Sequence, residues 1–353
     1  LYMYESLMEN TLDEIKGVSI LGPEKQIAKF TNNKIHQLNG LKDQVPVVDF
    51  KICKGYQDLI ATTDGLWDKW RDGIFVTKEY SAAGINSCVA FSSADIIEKF
   101  ADQDVNYIIT RFLPHTLDPT VLAVVANPEE VYIAGVADQR IENGNRFTGS
   151  TFPSVVTLEQ AKRLEEYTRK VGKWLAQQGY KGIYGCDYII THDGDIRFLE
   201  INARKQGTTL EFCCTLDQNL APGCPNLPEL EYFAVTRGRF PENTQEPPGN
   251  LSNIHWGTYN YKIHEPVKTL SYIPQQIRER QAFGKIASGC LKKSYLILEH
   301  TGSDFIIAQG SFIGRVVALG HDHKSVAQGI NLGCQTIELT FTRQNTEKEY
   351  VGE

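Results

Sequence analysis

The chain has 353 residues, 41% of them hydrophobic and 22% charged, a globular composition with length for two or three domains and a sizeable core. A formal net charge of −7 and an isoelectric point near 5.7 leave no basic stripe for a nucleic acid, and no run of about 18 apolar residues is there to span a membrane. The first residues do not read as a secretory leader, and a start on Leu1 rather than Met leaves the natural beginning open. Cys53, Cys88, Cys186, Cys213, Cys214, Cys224, Cys290 and Cys334 are scattered without a CxxC pair. They read as free thiols of a reducing, cytoplasmic protein, with a zinc site from Cys213, Cys214 and Cys224 as the minor alternative.

In chain order, residues 1 to about 20 suggest a short helix and the entry to a strand. Glu24 to Leu38 reads as one helix, Val45 to Lys51 as a strand, and Tyr56 to Arg71 as a helix carrying Leu59, Leu66, Trp67 and Trp70. Gly73 to Tyr80 and Ser87 to Ser92 form a hairpin around the small-residue loop Ser81-Ala82-Ala83-Gly84-Ile85-Asn86. A short helix, Ala94 to Ala101, precedes strands at Asn106 to Phe112, Val121 to Ala126 and Glu130 to Asp138. Thr157 to Gln178 is the clearest helix. Thr157 and Gln160 make a capping box, Ala161, Leu164, Thr168, Val171 and Leu175 recur at helical spacing, and Gly179 ends it.

Residues 241 to 253 are the best linker. Beyond them a smaller α+β segment is expected, with strands at Tyr295 to Leu298, Phe305 to Gln309, Ile313 to Leu319 and Thr336 to Phe341, and a helix at Lys324 to Leu332. His321-Asp322-His323 has the residue types of a metal motif but reads better as a polar loop before that helix.

The most informative segment holds two strands, Tyr184 to Thr191 and Ile196 to Ala203, joined at Asp193-Gly194. Asp-Gly suits a two-residue turn, because both positions need positive φ. That register sets Asp187 opposite Glu200, about 5 Å apart at Cβ, with Asn202 on the same face. Two facing carboxylates repel unless a cation lies between them, and an all-oxygen set suits Mg²⁺. A hydrated carboxylate pair is the plain alternative. Ile196 and Phe198 would share the face and argue against a fully wet surface.

Asp187, Glu200-Ile201-Asn202 and Arg204 closely resemble the metal-binding signature of ATP-grasp enzymes. The resemblance runs over about residues 24 to 215 and implies Mg²⁺, with Mn²⁺ as an alternative, on Asp187, Glu200 and Asn202 against the phosphates of ATP. It gives Arg204 the charge of the transferring phosphoryl group and the substrate. Lys78, at the end of a strand and just before Ser81, Ala82, Ala83 and Gly84, is similar to the strand lysine and flexible loop that hold ATP phosphates. Asn33-Lys34 resembles the family's other lysine, with Lys29 as a competitor. Residues 108–114, with Arg111, Phe112 and Leu113, resemble the hinge that reads adenine, and Asp118 is placed to reach the ribose. The usual acid at the start of the hinge is not evident.

The implied architecture is an α+β ATP-grasp fold, two α+β lobes sandwiching ATP, with a small C-terminal α+β subdomain. Residues 1–23 would be the remnant of a reduced or missing N-terminal α/β lobe, 24–240 the catalytic domain, 241–253 a linker and 254–353 the subdomain. The implied activity is ATP-dependent amide formation between a carboxylate and an amine, through an acyl-phosphate, with release of ADP and phosphate. Stand-alone peptide or amino-acid ligases are the most similar group. Gln139, Arg140 and residues 147–153 lie where substrate contacts are expected, an arginine there holding a carboxylate by two parallel bonds. The substrates would be small molecules, amino acids foremost; a homodimer is left open. A phosphotransferase on the same scaffold and a non-catalytic ATP-binding module are the alternatives. No biotin-attachment segment is evident for a carboxylase.

Overall fold

The structure, a computed structural model, describes residues 21–81, 86–142, 146–247, 254–263, 265–268, 279–288, 294–298 and 306–349, and the side chains of all of these but 267–268, 279–280 and 341–349. The expectations for residues 1–20, Ala82, Ala83, Gly84, Cys290 and the 248–253 part of the linker lie outside them. Two compact units are present. The first takes in residues up to 136, 141–147 and 155–248; the second takes in 137–140, 148–154 and everything from 249.

The first unit opens with helices α1 (Lys25–Thr31) and α2 (Lys34–Leu41), where one helix was expected. Asn33 breaks it. Its side-chain oxygen accepts from the backbone N–H of Ile35 and His36, so it caps a new helix instead of continuing the old one. Strand β1 is Phe50–Lys54, later than the expected 45–51. Helix α3 (Gly55–Asp64) ends at Gly65, well short of Arg71, and the stretch with Trp67 and Trp70 is turns. β2 (Ile74–Lys78), β3 (Ser87–Ala90), α4 (Ser93–Ile97) and β4 (Asn106–Arg111) follow. The strands form an antiparallel sheet in the order β1-β4-β2-β3. Ile74 and Val76 on β2, Tyr107 and Ile109 on β4, and Leu59, Trp70 and Ile96 make its buried core.

Next come β5 (His115–Leu117), β6 (Pro119–Asn127), β7 (Glu130–Glu142), β8 (Arg146–Phe152), α5 (Leu158–Gln177), β9 (Gly182–Thr191), β10 (Ile196–Asn202), α6 (Thr209–Asn219) and α7 (Leu227–Arg237). Strands β10-β9-β6-β7 lie in that order, all antiparallel where β10, β9 and β6 meet. The capping box at Thr157 forms as expected, and α5 ends before Gly179 in the left-handed region at φ +86°. Val121, Ala123 and Val125 of β6 pack with Leu164, Val171 and Leu175 of α5, while α7 lies along β6 and β9. With helices on it, β6 is buried from Pro119 to Ala126, which is why it reads as a continuous apolar run. The 241–247 part of the expected linker is fastened to this unit: Arg169 grips Glu246 with bonds of 2.6 and 2.7 Å.

The second unit contains β11 (His255–Lys262), β12 (Val267–Lys268), α8 (Glu279–Ala287), β13 (Tyr295–Leu298), β14 (Ile306–Ile307), β15 (Phe312–Gly320) and α9 (His323–Glu349). Its strands run β8-β11-β15-β13, with β12 and β14 pairing separately. The strand expected at Thr336–Phe341 is instead part of α9. Its β-branched residues favour a strand locally, but Val326, Ile330 and Ile337 fall on one helical face and are buried. Gly333 lets that face close on β15, since a Cβ there would meet Val316 at 2.3 Å. Tertiary packing overrides local preference.

Candidate active site

The β9–β10 hairpin brings Asp187 opposite Glu200 by a different route from the one the sequence suggests. The turn has three residues, not two. Thr191 N–H donates to Asp195 O at 3.0 Å, and Gly194 takes φ +81°. The first pairs, Ile196 with Ile190 through Phe198 with Tyr188, are therefore one residue out of the expected register. A bulge between Phe198 and Glu200 absorbs the difference and restores Glu200 to Asp187 and Asn202 to Gly185. It also corrects the expected company on that face. Phe198 pairs with Tyr188, and neighbours on β9 point to opposite sides, so Phe198 and Ile196 turn into the core while Glu200 turns out. The two rings meet edge-on at 5.8 Å. Leu199, at the bulge, is 37% exposed.

Asp187 is almost fully buried and held from several sides. Thr120, opposite it on β6, donates its hydroxyl to Oδ1 at 2.7 Å. Asn202 Nδ2 donates to Oδ2 at 2.8 Å, and Asn202 Oδ1 accepts from Arg204 at 2.8 Å. Lys34, the first residue of α2, forms an ion pair with Glu200. Burial lowers the Lys34 pKa to about 8; Asp187 pulls it back up and Arg204 pushes it further down. The structure thus gathers Lys34, Asp187, Glu200, Asn202 and Arg204 into one charged cluster. Lys29 has no part in it in any contact described.

Gln37 explains how α2 comes to the cluster. It is one helical turn from Lys34, and β10 is an edge strand in the first unit. The Gln37 amide donates to Ile201 O and accepts from Ile201 N–H, both at 2.9 Å, acting as a one-residue strand partner. Further along the edge, Phe198 N–H donates to Pro46 O at 2.8 Å and Val47 bridges to Phe198, which is what residues 45–48 do in place of the expected strand.

The other expected nucleotide residues stand on neighbouring elements. Glu79, the residue after β2, receives the Asn33 and Asn106 side-chain amides at 3.0 and 3.1 Å, and its carbonyl accepts from Lys34 N–H at 3.1 Å. Lys78 is thereby tied in sequence to the start of α2, but its ammonium pairs with Asp102 and not with the cluster. The Ser81 hydroxyl lies 2.7 Å from that of Thr77. Arg111 reaches Asp72 at 3.4 Å, Phe112 packs edge-on to Phe91 and His115, and Leu113 O lies 2.7 Å from His115 Nδ1. Asp118, expected at the ribose, pairs with His115 Nε2 at 3.0 Å and raises its pKa. Gln139 and Arg140 belong to the second unit, where the Arg140 guanidinium lies 5.7 Å over the Tyr259 ring.

Sequence reasoning missed Thr120, Gln37 and Glu79, and it took Gln206 only as part of Lys205-Gln206-Gly207-Thr208-Thr209, a polar, small-residue loop of the kind that lines a site. None sits in a motif. Among the described residues no group of three His, Cys, Asp or Glu is arranged to hold a metal. The Cys213 thiol is pushed up to about 12 by burial, which disfavours its thiolate. Among the same residues no helix is long and apolar enough to cross a membrane.

The model of the ATP-grasp domain family matches residues 31–208, about half of the chain. A curated relative, the "[Butirosin acyl-carrier protein]--L-glutamate ligase" of Niallia circulans, is 27% identical over 116 residues, which is 33% of this chain and 27% of that one. The matched region thus spans about a quarter of that relative's length. Among solved structures, carboxyaminoimidazole ribonucleotide synthase from Aspergillus clavatus aligns with a TM-score of 0.65 at 15% identity, over 94% of this chain and 78% of that one. Biotin carboxylase from Campylobacter jejuni aligns at 0.62 and 16%, over 88% and 68%. The matched span makes this chain a member of the ATP-grasp family.

Proposed function

We propose that the chain is an ATP-dependent carboxylate–amine ligase that activates the carboxyl group of an amino acid and joins it to an amine. The observation that carries the reading is the cluster of Lys34, Asp187, Glu200, Asn202 and Arg204, two acids and two bases focused on one sheet edge. The curated relative, named as a glutamate ligase, supports amide formation.

ATP-grasp enzymes use ATP with Mg²⁺. The donor set fits such a cation: the carboxylates of Asp187 and Glu200 and the amide oxygen of Asn202 are hard oxygen ligands on paired strands. These three residues would hold Mg²⁺ or Mn²⁺, which supplies charge neutralisation to the β- and γ-phosphates. Lys34 would exchange Glu200 for phosphate oxygen, and Lys78 would leave Asp102 for the same anion. Ser81 and the loop after it, with Arg111, Phe112, Leu113 and Asp118, are the remaining nucleotide contacts we assign. A substrate carboxylate oxygen then bonds to the γ-phosphorus as the bond to the ADP oxygen breaks. Arg204, held by Asn202, offsets charge on the transferring group. The amine nitrogen bonds to the acyl carbon, phosphate leaves with the electron pair of the C–O bond, and the proton the nitrogen loses goes to the departing phosphate. Gln139 and Arg140 are assigned to the substrate carboxyl group.

ADP and phosphate release, followed with Mg²⁺-ATP across a panel of amino acids singly and in pairs, tests the reading. Release that needs an acid and an amine together, and is lost in Glu200→Ala, is the expected outcome. A stable phosphoester without any amine would make the protein a phosphotransferase. ATP binding with no turnover in any mixture would make it a binding module.

A further inference from the structure

We propose that Thr120 and Gln206 are positioning residues for this reaction, locking the Asp187 carboxylate in one plane and so setting which of its lone pairs face the cation. The inference rests on the metal-site reading above.

Thr120 has one hydroxyl proton, and the 2.7 Å bond to Asp187 Oδ1 uses it. Its oxygen is then free only to accept, and Gln206 Nε2 donates to it at 3.2 Å. The same amide nitrogen reaches Asp187 Oδ1 at 3.4 Å. On the far side, Asn202 Nδ2 holds Oδ2 at 2.8 Å. An aspartate carboxylate otherwise turns easily, because its terminal torsion is broad. Two donors on one oxygen and one on the other remove that freedom. The arrangement is buried, with Thr120 only 3% and Asp187 8% exposed, so water does not replace a lost donor cheaply.

Gly185 is the steric half of the device. It pairs with Asn202 across the hairpin, and a Cβ built on it would lie 1.9 Å from Gln206 Cδ. The Gln206 amide lies where any side chain at 185 would be. The loop is anchored behind it, as Gln206 N–H donates to Thr209 Oγ1 at 3.0 Å and Lys205 pairs with Glu231 at 3.1 Å. Mg²⁺ demands near-ideal octahedral geometry, so a carboxylate free to turn is a poorer ligand even with its charge intact.

The test measures binding of Mn²⁺, by electron paramagnetic resonance, to the full chain with a non-hydrolysable ATP analogue. KM for Mg²⁺ and kcat are measured beside it. Thr120→Val, which keeps shape and loses the donor, is expected to weaken Mn²⁺ binding about 10-fold or more, with KM for Mg²⁺ rising and kcat changing less. Thr120→Ser restores the wild-type values. Gln206→Leu and Gly185→Ala move affinity in the same direction, and they keep the proposal testable if Thr120→Val does not fold. Wild-type Mn²⁺ affinity in Thr120→Val and Gln206→Leu, with affinity lost in Asp187→Asn, overturns the proposal and leaves the metal site standing. Equal loss in Thr120→Ser and Thr120→Val also overturns it, since the hydroxyl is then not what matters. Unchanged affinity in Asp187→Asn overturns the metal-site reading itself.

Discussion

Asp187 and Glu200 face each other, yet they are held differently: Asp187 takes hydrogen bonds from Thr120 and Asn202, while Glu200 pairs directly with the ammonium of Lys34, whose charge Asp187 also favours. Lys34 sits at the positive end of α2 and is largely buried, both unfavourable for its charge, and burial lowers its pKa to about 8. Replacing it by Gln leaves Glu200 without its cation. Mn²⁺ added without nucleotide is then expected to raise the thermal midpoint of Lys34→Gln by more than that of the wild type, in a dye-monitored melt. An equal response would mean that Lys34 does not compete with the metal. His115 offers a pH test nearby. Its hydrogen bond to Asp118 raises its pKa above 6.5, so the pair's contribution to stability is full below 6.5 and is lost as pH rises through the raised value. The gap in urea midpoint between wild type and Asp118→Asn is therefore expected to be widest below 6.5 and to close on the alkaline side.

At the scale of the element, β10 shows how an edge strand is finished by side chains and by loop backbone. The Gln37 amide satisfies both backbone groups of Ile201, and Pro46 satisfies Phe198. Gln37→Leu would orphan a buried N–H and a buried C=O. At about 1–3 kcal/mol for each, a loss of roughly 2–6 kcal/mol is expected from urea unfolding. Activity is expected to fall further than stability explains, because the same helix carries Lys34. The bulge at Leu199 works on the same scale. One extra residue lets Phe198 enter the core and Glu200 face the site, which a regular strand does not allow.

Across the whole molecule, each of the two units has apolar clusters of its own. Val121, Ala123 and Val125 with α5 build one in the first unit, and Ile313, Val316 and Ile337 another in the second. Ile337→Ala is expected to cost about 2–5 kcal/mol, and calorimetry is expected to show that loss in one transition while another stays in place. A single transition that shifts as a block would show that the units unfold together.

The acids and lysines by which the chain resembles the ATP-grasp family are written in the sequence as recognisable residue types, the acids at short spacing on one hairpin and the lysines upstream in the expected order. Asp187, Glu200, Asn202, Arg204 and Lys34 were all legible in this way, as were the hairpin of β2 and β3 and the helix α5, whose signals are local. Partners distant in sequence were not. Nothing local distinguishes Thr120 or Gln37 from any other polar residue; each acquires its role from what the fold sets opposite it, 67 and 164 residues away. The bulge shows the division most clearly. The sequence predicted the right pair of acids from the wrong turn, and only tertiary packing, by burying Phe198 against Tyr188, decided the register that brings them together. The long helix α9 makes the same point from the other side: its β-branched residues favour a strand, and the sheet beneath them selects a helix.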